Sequence, residues 1–144
     1  MDLIIWDCQL LKKHARSIVQ ASNDLRMRGY FLIRLNARRG AIYLAGYGVE
    51  CLLKALVLSV VPASERQKMV ANFRGARAHN YDWLKARYFD NGGAQFASEI
   101  SKAFALVNTW DTEWRYRSGT APPRDAEAFL QAAEQIIIWT DGRL

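Results

Sequence analysis

Residues 41–61 read AIYLAGYGVECLLKALVLSVV, an apolar run that carries one acid, Glu50, and one base, Lys54. A bilayer-spanning helix needs about 20 apolar residues, so the run is long enough. A charge near the centre of such a span costs roughly 2.5–3.5 kcal/mol, and two charges argue against it. The other way to bury an apolar run of this length is to surround one helix with others. The rest of the chain has to supply them.

It does so at helical spacing. Ile4, Cys8, Leu11, Ala15, Ile18, Ser22 and Leu25 recur by three and four, which predicts a first helix over about 2–28. Pro62 stops the central helix, and a short helix over 64–72 follows. Residues 80–89 form another, ended by the Asp90-Asn91-Gly92-Gly93 loop. Phe96, Ile100, Ala103, Val107 and Trp110 share one face over about 94–110. Ala126, Phe129, Leu130, Ala133, Ile136 and Ile137 mark the last helix, with Gly142 as its stop. No strand pattern competes. The expectation is one all-α domain over 1–144, an up-and-down bundle of four or five helices with antiparallel neighbours.

Other features bound the function. The N-terminus has its apolar residues before its charges, unlike a secretory signal. Cys8 and Cys51 have neither metal-ligand nor disulfide-framework spacing, so no metal and no cofactor is expected. These readings point to a cytoplasmic protein with no membrane partner. The formal charge is +6, and arginines outnumber lysines 14 to 6. Arg26, Arg28, Arg34, Arg38 and Arg39 fall in a stretch without an acid. Arginine's planar fork suits phosphate, and a basic patch is the footprint of nucleic-acid binding; a solvated basic face has the same composition.

Within the central helix Tyr43, Tyr47, Glu50 and Lys54 lie on one face, and Glu50 and Lys54 can pair at i, i+4. This polar stripe is either a satisfied internal network or the floor of a site. Gly46 and Gly48, weak helix residues, suggest close approach by another helix or a subunit. Of the two histidines, His14 lies in KKHAR on a polar face. His79 lies in RGARAHNYDWL, five residues after Arg74 and two before Tyr81. A histidine can move a proton to or from a ribose oxygen near neutral pH, and an arginine can neutralise charge developing on phosphate. A helix-capping or gap-filling role for His79 is the alternative reading.

The segment YLAGYGVECLLKAL resembles the second helix of HEPN domains. AHNYDWL is similar to the histidine-bearing segment that follows it there, and WDTEWRYRSG to a later segment ending in Arg-Tyr. The resemblance covers roughly residues 7 to 140. It implies an all-α bundle, usually dimeric, in a family of metal-independent RNases, many of them toxins or defence effectors. The family also has non-catalytic members that bind nucleotides or partner proteins. It further implies Arg74 and His79 as catalytic residues in an Arg-x4-His motif, with Tyr81 completing the Arg-x4-His-x-Tyr pattern of HepT-like toxins. In those toxins a nucleotidyltransferase antitoxin adenylylates the tyrosine. Glu50 and Lys54 would face the bundle interior as partners of His79 or Arg115, with Tyr116 in the same network. Arg34, Arg38, Arg39 and Arg77 would hold RNA backbone. The expected product is a 2′,3′-cyclic phosphate, and the expected assembly a homodimer.

Overall fold

The computed structural model describes residues 38–110 and 121–144, together with Met27. The helix expected over 2–28 and the segment from 111 to 120 lie outside the described residues. Among the described residues there are five α-helices: α1 (Arg38–Val60), α2 (Arg66–Asn72), α3 (Tyr81–Asp90), α4 (Ser98–Val107) and α5 (Pro123–Asp141). Two short 3-10 turns, Ala63–Glu65 and Ala76–His79, join them. No strand occurs among the described residues. The chain is all-α.

The apolar run is the centre of this arrangement. α1 packs against both α3 and α5, and α5 packs in turn on α4. By length and composition α1 could cross a membrane, but 78% of its most apolar window is buried inside the molecule. Val49, Leu53, Leu56 and Val57 of α1 are buried with Leu84, Phe104, Leu130 and Ile136 from the surrounding helices. Each such side chain contributes about 1.5–3 kcal/mol of transfer free energy. A smaller cluster of Leu52, Ala55, Leu58 and Ile137 receives Met69, Val70 and Phe73. That contact seats α2 and the turn after it on α1.

The ends of α1 and α5 follow from local chemistry. Pro62 has no N–H to continue α1. The Nε of Arg66 then donates to the carbonyls of Leu58 at 3.0 Å and Val61 at 3.1 Å. A cation is favourable there, at the negative end of the helix. Pro122 and Pro123 open α5, where a missing N–H is harmless, and Gly142 follows its last residue as expected.

α4 departs from the expected span of 94–110. Gly92 adopts φ 88°. Gly93 lies so close to the Tyr88 ring that a Cβ would come within 2.5 Å of it. The Tyr88 hydroxyl accepts the Ala94 N–H at 3.1 Å. These contacts hold residues 92–97 off the helical path. Phe96 still reaches the core, stacking on Phe104 with ring centroids 4.8 Å apart. At the other end Trp110 lies beyond the helix and is buried.

Candidate acid–base site on the central helix

Glu50 is 1% exposed and Lys54 8% exposed on α1. Taking two charges out of water requires that they satisfy each other. Lys54 Nζ donates to Glu50 Oε1 at 2.5 Å. The second partner of this carboxylate comes from far along the chain: His79 Nδ1 lies 3.1 Å from both Oε1 and Oε2. An ionised carboxylate only accepts, so Nδ1 carries the proton. The hydrogen bond fixes the ring orientation and leaves Nε2 as the nitrogen available to a further partner. The side chain of His79 is 26% exposed, against 1% for Glu50. The result is a graded series, with a cation and a carboxylate inside and an imidazole at the rim.

A glycine makes this placement possible. After α2 the chain passes Phe73 and Arg74 and reaches Gly75 at φ 68°, a left-handed conformation that costs glycine little. The 3-10 turn Ala76–His79 follows. Its only buried member is Ala78, and His79 ends the turn over Glu50. Asn80 then caps α3, its side chain accepting from Trp83 N at 2.9 Å. No residue but glycine adopts Gly75's conformation cheaply, so the position between Arg74 and His79 is explained by backbone.

Arg74 and Arg77 flank His79 in sequence and are exposed. Neither guanidinium has a hydrogen bond or an acid partner among the described residues. Arg77 lies over the indole of Trp83, its Cζ 5.5 Å from the ring centroid. Arg87, four residues on from Trp83 in α3, lies 5.7 Å from the same centroid and pairs with Asp90 at 2.6 Å. Phe73 meets Trp83 edge-on at 6.2 Å, and Lys54 Nζ lies 5.8 Å from the centroid of Phe73. A continuous line of contacts therefore runs from the buried pair to the arginine surface.

Tyr81 departs from the expected role. Its ring is 2% exposed and stacks on Trp110 at 5.5 Å and 10°. Its hydroxyl donates to the Gly46 carbonyl at 2.6 Å. Burial pushes the hydroxyl's pKa well above its ordinary value, and the nearby Glu50 and Cys51 add to this. The side chain is an internal strut between α3 and α1, and an adenylylating enzyme has no access to the hydroxyl in this conformation. Gly46 has a comparable explanation. A Cβ there would come 2.1 Å from Trp110 Nε1, so the close approach inferred from this glycine is made within the chain and by a ring. Cys51, next to Glu50 on α1, is half-buried with a thiol pushed up to about 11, first by burial and then by Glu50, with Lys54 opposing.

Among the remaining expected residues, Arg38 and Arg39 open α1 and are half-buried, each engaged in contacts. Arg34, Arg115 and Tyr116 lie outside the described residues. Of the two partners expected for Glu50 and Lys54, His79 is in contact with Glu50, and Arg115 is among the residues not described. The described residues hold no group of three or more metal-ligating side chains. Trp83, Phe73 and Trp110 were not singled out as site residues from sequence. The Trp83–Arg87 spacing of i, i+4 was the available signal, whereas the Arg77 contact depends on the turn.

No family model, curated protein or solved structure matches this chain.

Proposed function

We propose that the protein is a metal-independent endoribonuclease of the HEPN type, acting as a toxin or defence effector in the cytoplasm. The observation that carries this reading is the buried Glu50 carboxylate holding Nδ1 of a His79 side chain that is itself 26% exposed. In the proposed reaction His79 Nε2 takes the proton from a ribose 2′-OH. The 2′-oxygen attacks the adjacent phosphorus, the bond to the 5′-oxygen breaks and that oxygen takes a proton from solvent water, and a 2′,3′-cyclic phosphate results. Arg74 stabilises the charge on the phosphorane-like transition state, and Arg77 with Arg38 and Arg39 holds RNA backbone. Glu50 stabilises the imidazolium formed when His79 takes the proton, as the acid in a catalytic triad does.

The proposal includes a homodimer and a nucleotidyltransferase partner. Gly46 lends the dimer no support, since Trp110 of the same chain fills the space beside it. Tyr81 is buried against Trp110, so covalent control by the partner at this residue requires its ring to leave that stack. A second reading is a non-catalytic RNA- or nucleotide-binding module serving the same partner. It is favoured by His79, whose side-chain hydrogen bonds among the described residues are to Glu50 and not to Arg74.

Total RNA incubated with the purified protein in EDTA and resolved on a denaturing gel tests the activity. Cleavage to cyclic-phosphate ends, lost by about 10²–10⁴-fold in His79→Ala, is the expected result for a general acid–base residue. RNA binding without cleavage in the native protein selects the binding module.

A further inference from the structure

The cluster around Trp83 has a role that the acid–base site leaves unexplained. Arg77 is exposed and without an acid partner among the described residues, yet its guanidinium is not loose, because it lies over the Trp83 indole. Arg87 lies beside the same ring and is already neutralised by Asp90. Trp83 itself is held edge-on by Phe73 and sits in the first turn of α3, where its N–H is bonded to the Asn80 cap. The indole is thus a fixed surface, and Arg77 is the one cation in contact with it that has no counter-ion among the described residues.

An arginine restrained in this way differs from an ordinary surface arginine. Binding an anion immobilises a rotamer-rich side chain at an entropic cost, and contact with an aromatic face removes part of that cost beforehand. The cation–π contact restrains the guanidinium without using its N–H groups as donors. Those N–H groups make no hydrogen bond among the described residues and are the ones that would meet the oxygens of a phosphate. Only Ala78 separates Arg77 from His79 in the turn Ala76–His79, so the same short turn carries both the arginine and the proposed general base.

We infer that Trp83 is a positioning residue that holds Arg77 as a preformed subsite for a backbone phosphate of single-stranded RNA. This rests on the ribonuclease reading for its choice of ligand, but it makes a separate claim about Trp83.

The test measures binding of a fluorescent single-stranded RNA 12-mer across a salt series, with His79→Ala as the background so that no cleavage intervenes. Arg77→Gln should weaken binding and flatten the plot of log affinity against log salt by about 0.7, the value of one lost phosphate contact on a single strand. Trp83→Leu keeps the charge but frees it. It should weaken binding by about 2- to 12-fold, the equivalent of one arginine newly immobilised on binding, while leaving the slope unchanged. Trp83→Phe retains an aromatic face and should restore most of the loss. Circular dichroism and the ring-current shift of the Arg77 Nε–H resonance separate a freed arginine from a damaged fold. Unaltered affinity in a folded Trp83→Leu overturns the role of Trp83 and leaves the ribonuclease reading standing. Failure of the His79→Ala protein to bind the 12-mer at low salt removes both. Binding of adenosine triphosphate in place of RNA, with the same dependence on Trp83 and Arg77, overturns the assignment to a strand phosphate.

Discussion

The hydroxyl of Tyr81 donates to the main-chain carbonyl of Gly46 at 2.6 Å, and this bond ties the start of α3 to the middle of α1. The carbonyl belongs to a helix and the ring is stacked on Trp110, so Tyr81→Phe removes one bond and keeps the packing. A loss of about 0.5–1.5 kcal/mol is expected, read from urea denaturation. RNA cleavage should persist. Recovery of a nucleotidylated Tyr81 peptide from folded protein would show that the ring leaves this position.

Gly46→Ala sets two effects against each other. Alanine favours a helix by about 0.8–1.0 kcal/mol over glycine. Its Cβ, however, meets the indole at 2.1–2.2 Å, and overpacking costs typically about 1–3 kcal/mol. A rigid, buried ring gives way poorly, so net destabilisation is expected. In a Trp110→Leu background the same substitution should become neutral or stabilising. A double-mutant cycle on chemical denaturation measures the change of sign.

Glu50→Gln leaves Lys54 without its counter-charge in a site only 8% exposed. Breaking a buried pair from one side costs about 3–5 kcal/mol, and the position of Lys54 near the edge favours the lower figure. Replacing both partners, Glu50→Leu with Lys54→Met, should recover most of the stability. It should not recover cleavage, because His79 then has no acceptor for Nδ1. Equal rescue of stability and activity would show that Glu50 does not orient the histidine.

Cys51 gives a prediction with a defined sign. Its thiol is raised to about 11 in the folded chain, against about 8.5 for a free cysteine. The folded state therefore favours the protonated form. The stabilising contribution is fully present below about pH 8.5 and is lost as pH rises through the folded value. At pH 8 the scarcity of thiolate should slow alkylation of native Cys51 by about 100-fold or more relative to urea-unfolded chain, since the thiolate is the nucleophile. Mass spectrometry of iodoacetamide-treated protein, following the Cys51 peptide, reads the ratio.

The parts of the fold visible in the sequence were those written in local periodicity. α1 and its stop at Pro62, the short helix before residue 72, and the last helix with its Gly142 stop are all set by spacing and by residues that end helices. The Glu50–Lys54 pair was legible for the same reason, as an i, i+4 relation on one helix. His79 was legible as a chemical candidate, and its partnership with Glu50 rested on the family resemblance because 29 residues separate them. What periodicity could not convey was orientation. Tyr81 falls two residues after His79, but His79 ends a 3-10 turn and Tyr81 begins an α-helix. The two side chains consequently leave the backbone in different directions, one to the rim and one to the core. Phe96 continued a helical pattern in the sequence yet sits in a tight connection, because Gly93 packs against Tyr88.

The left-handed turn at Gly75 lies between the two halves of the Glu50–His79 pair, and this separation governs when the site exists. On a growing or unfolded chain His79 is an imidazole with no fixed partner, and Glu50 is a carboxylate in water. The oriented histidine arises only after the connection through α2 has closed and the helices have packed around α1. If the protein cuts RNA, the incomplete chain is harmless to the ribosome that makes it and to its own message. The same dependence would make any cleavage by this protein a sensitive readout of whether α1 is properly enclosed.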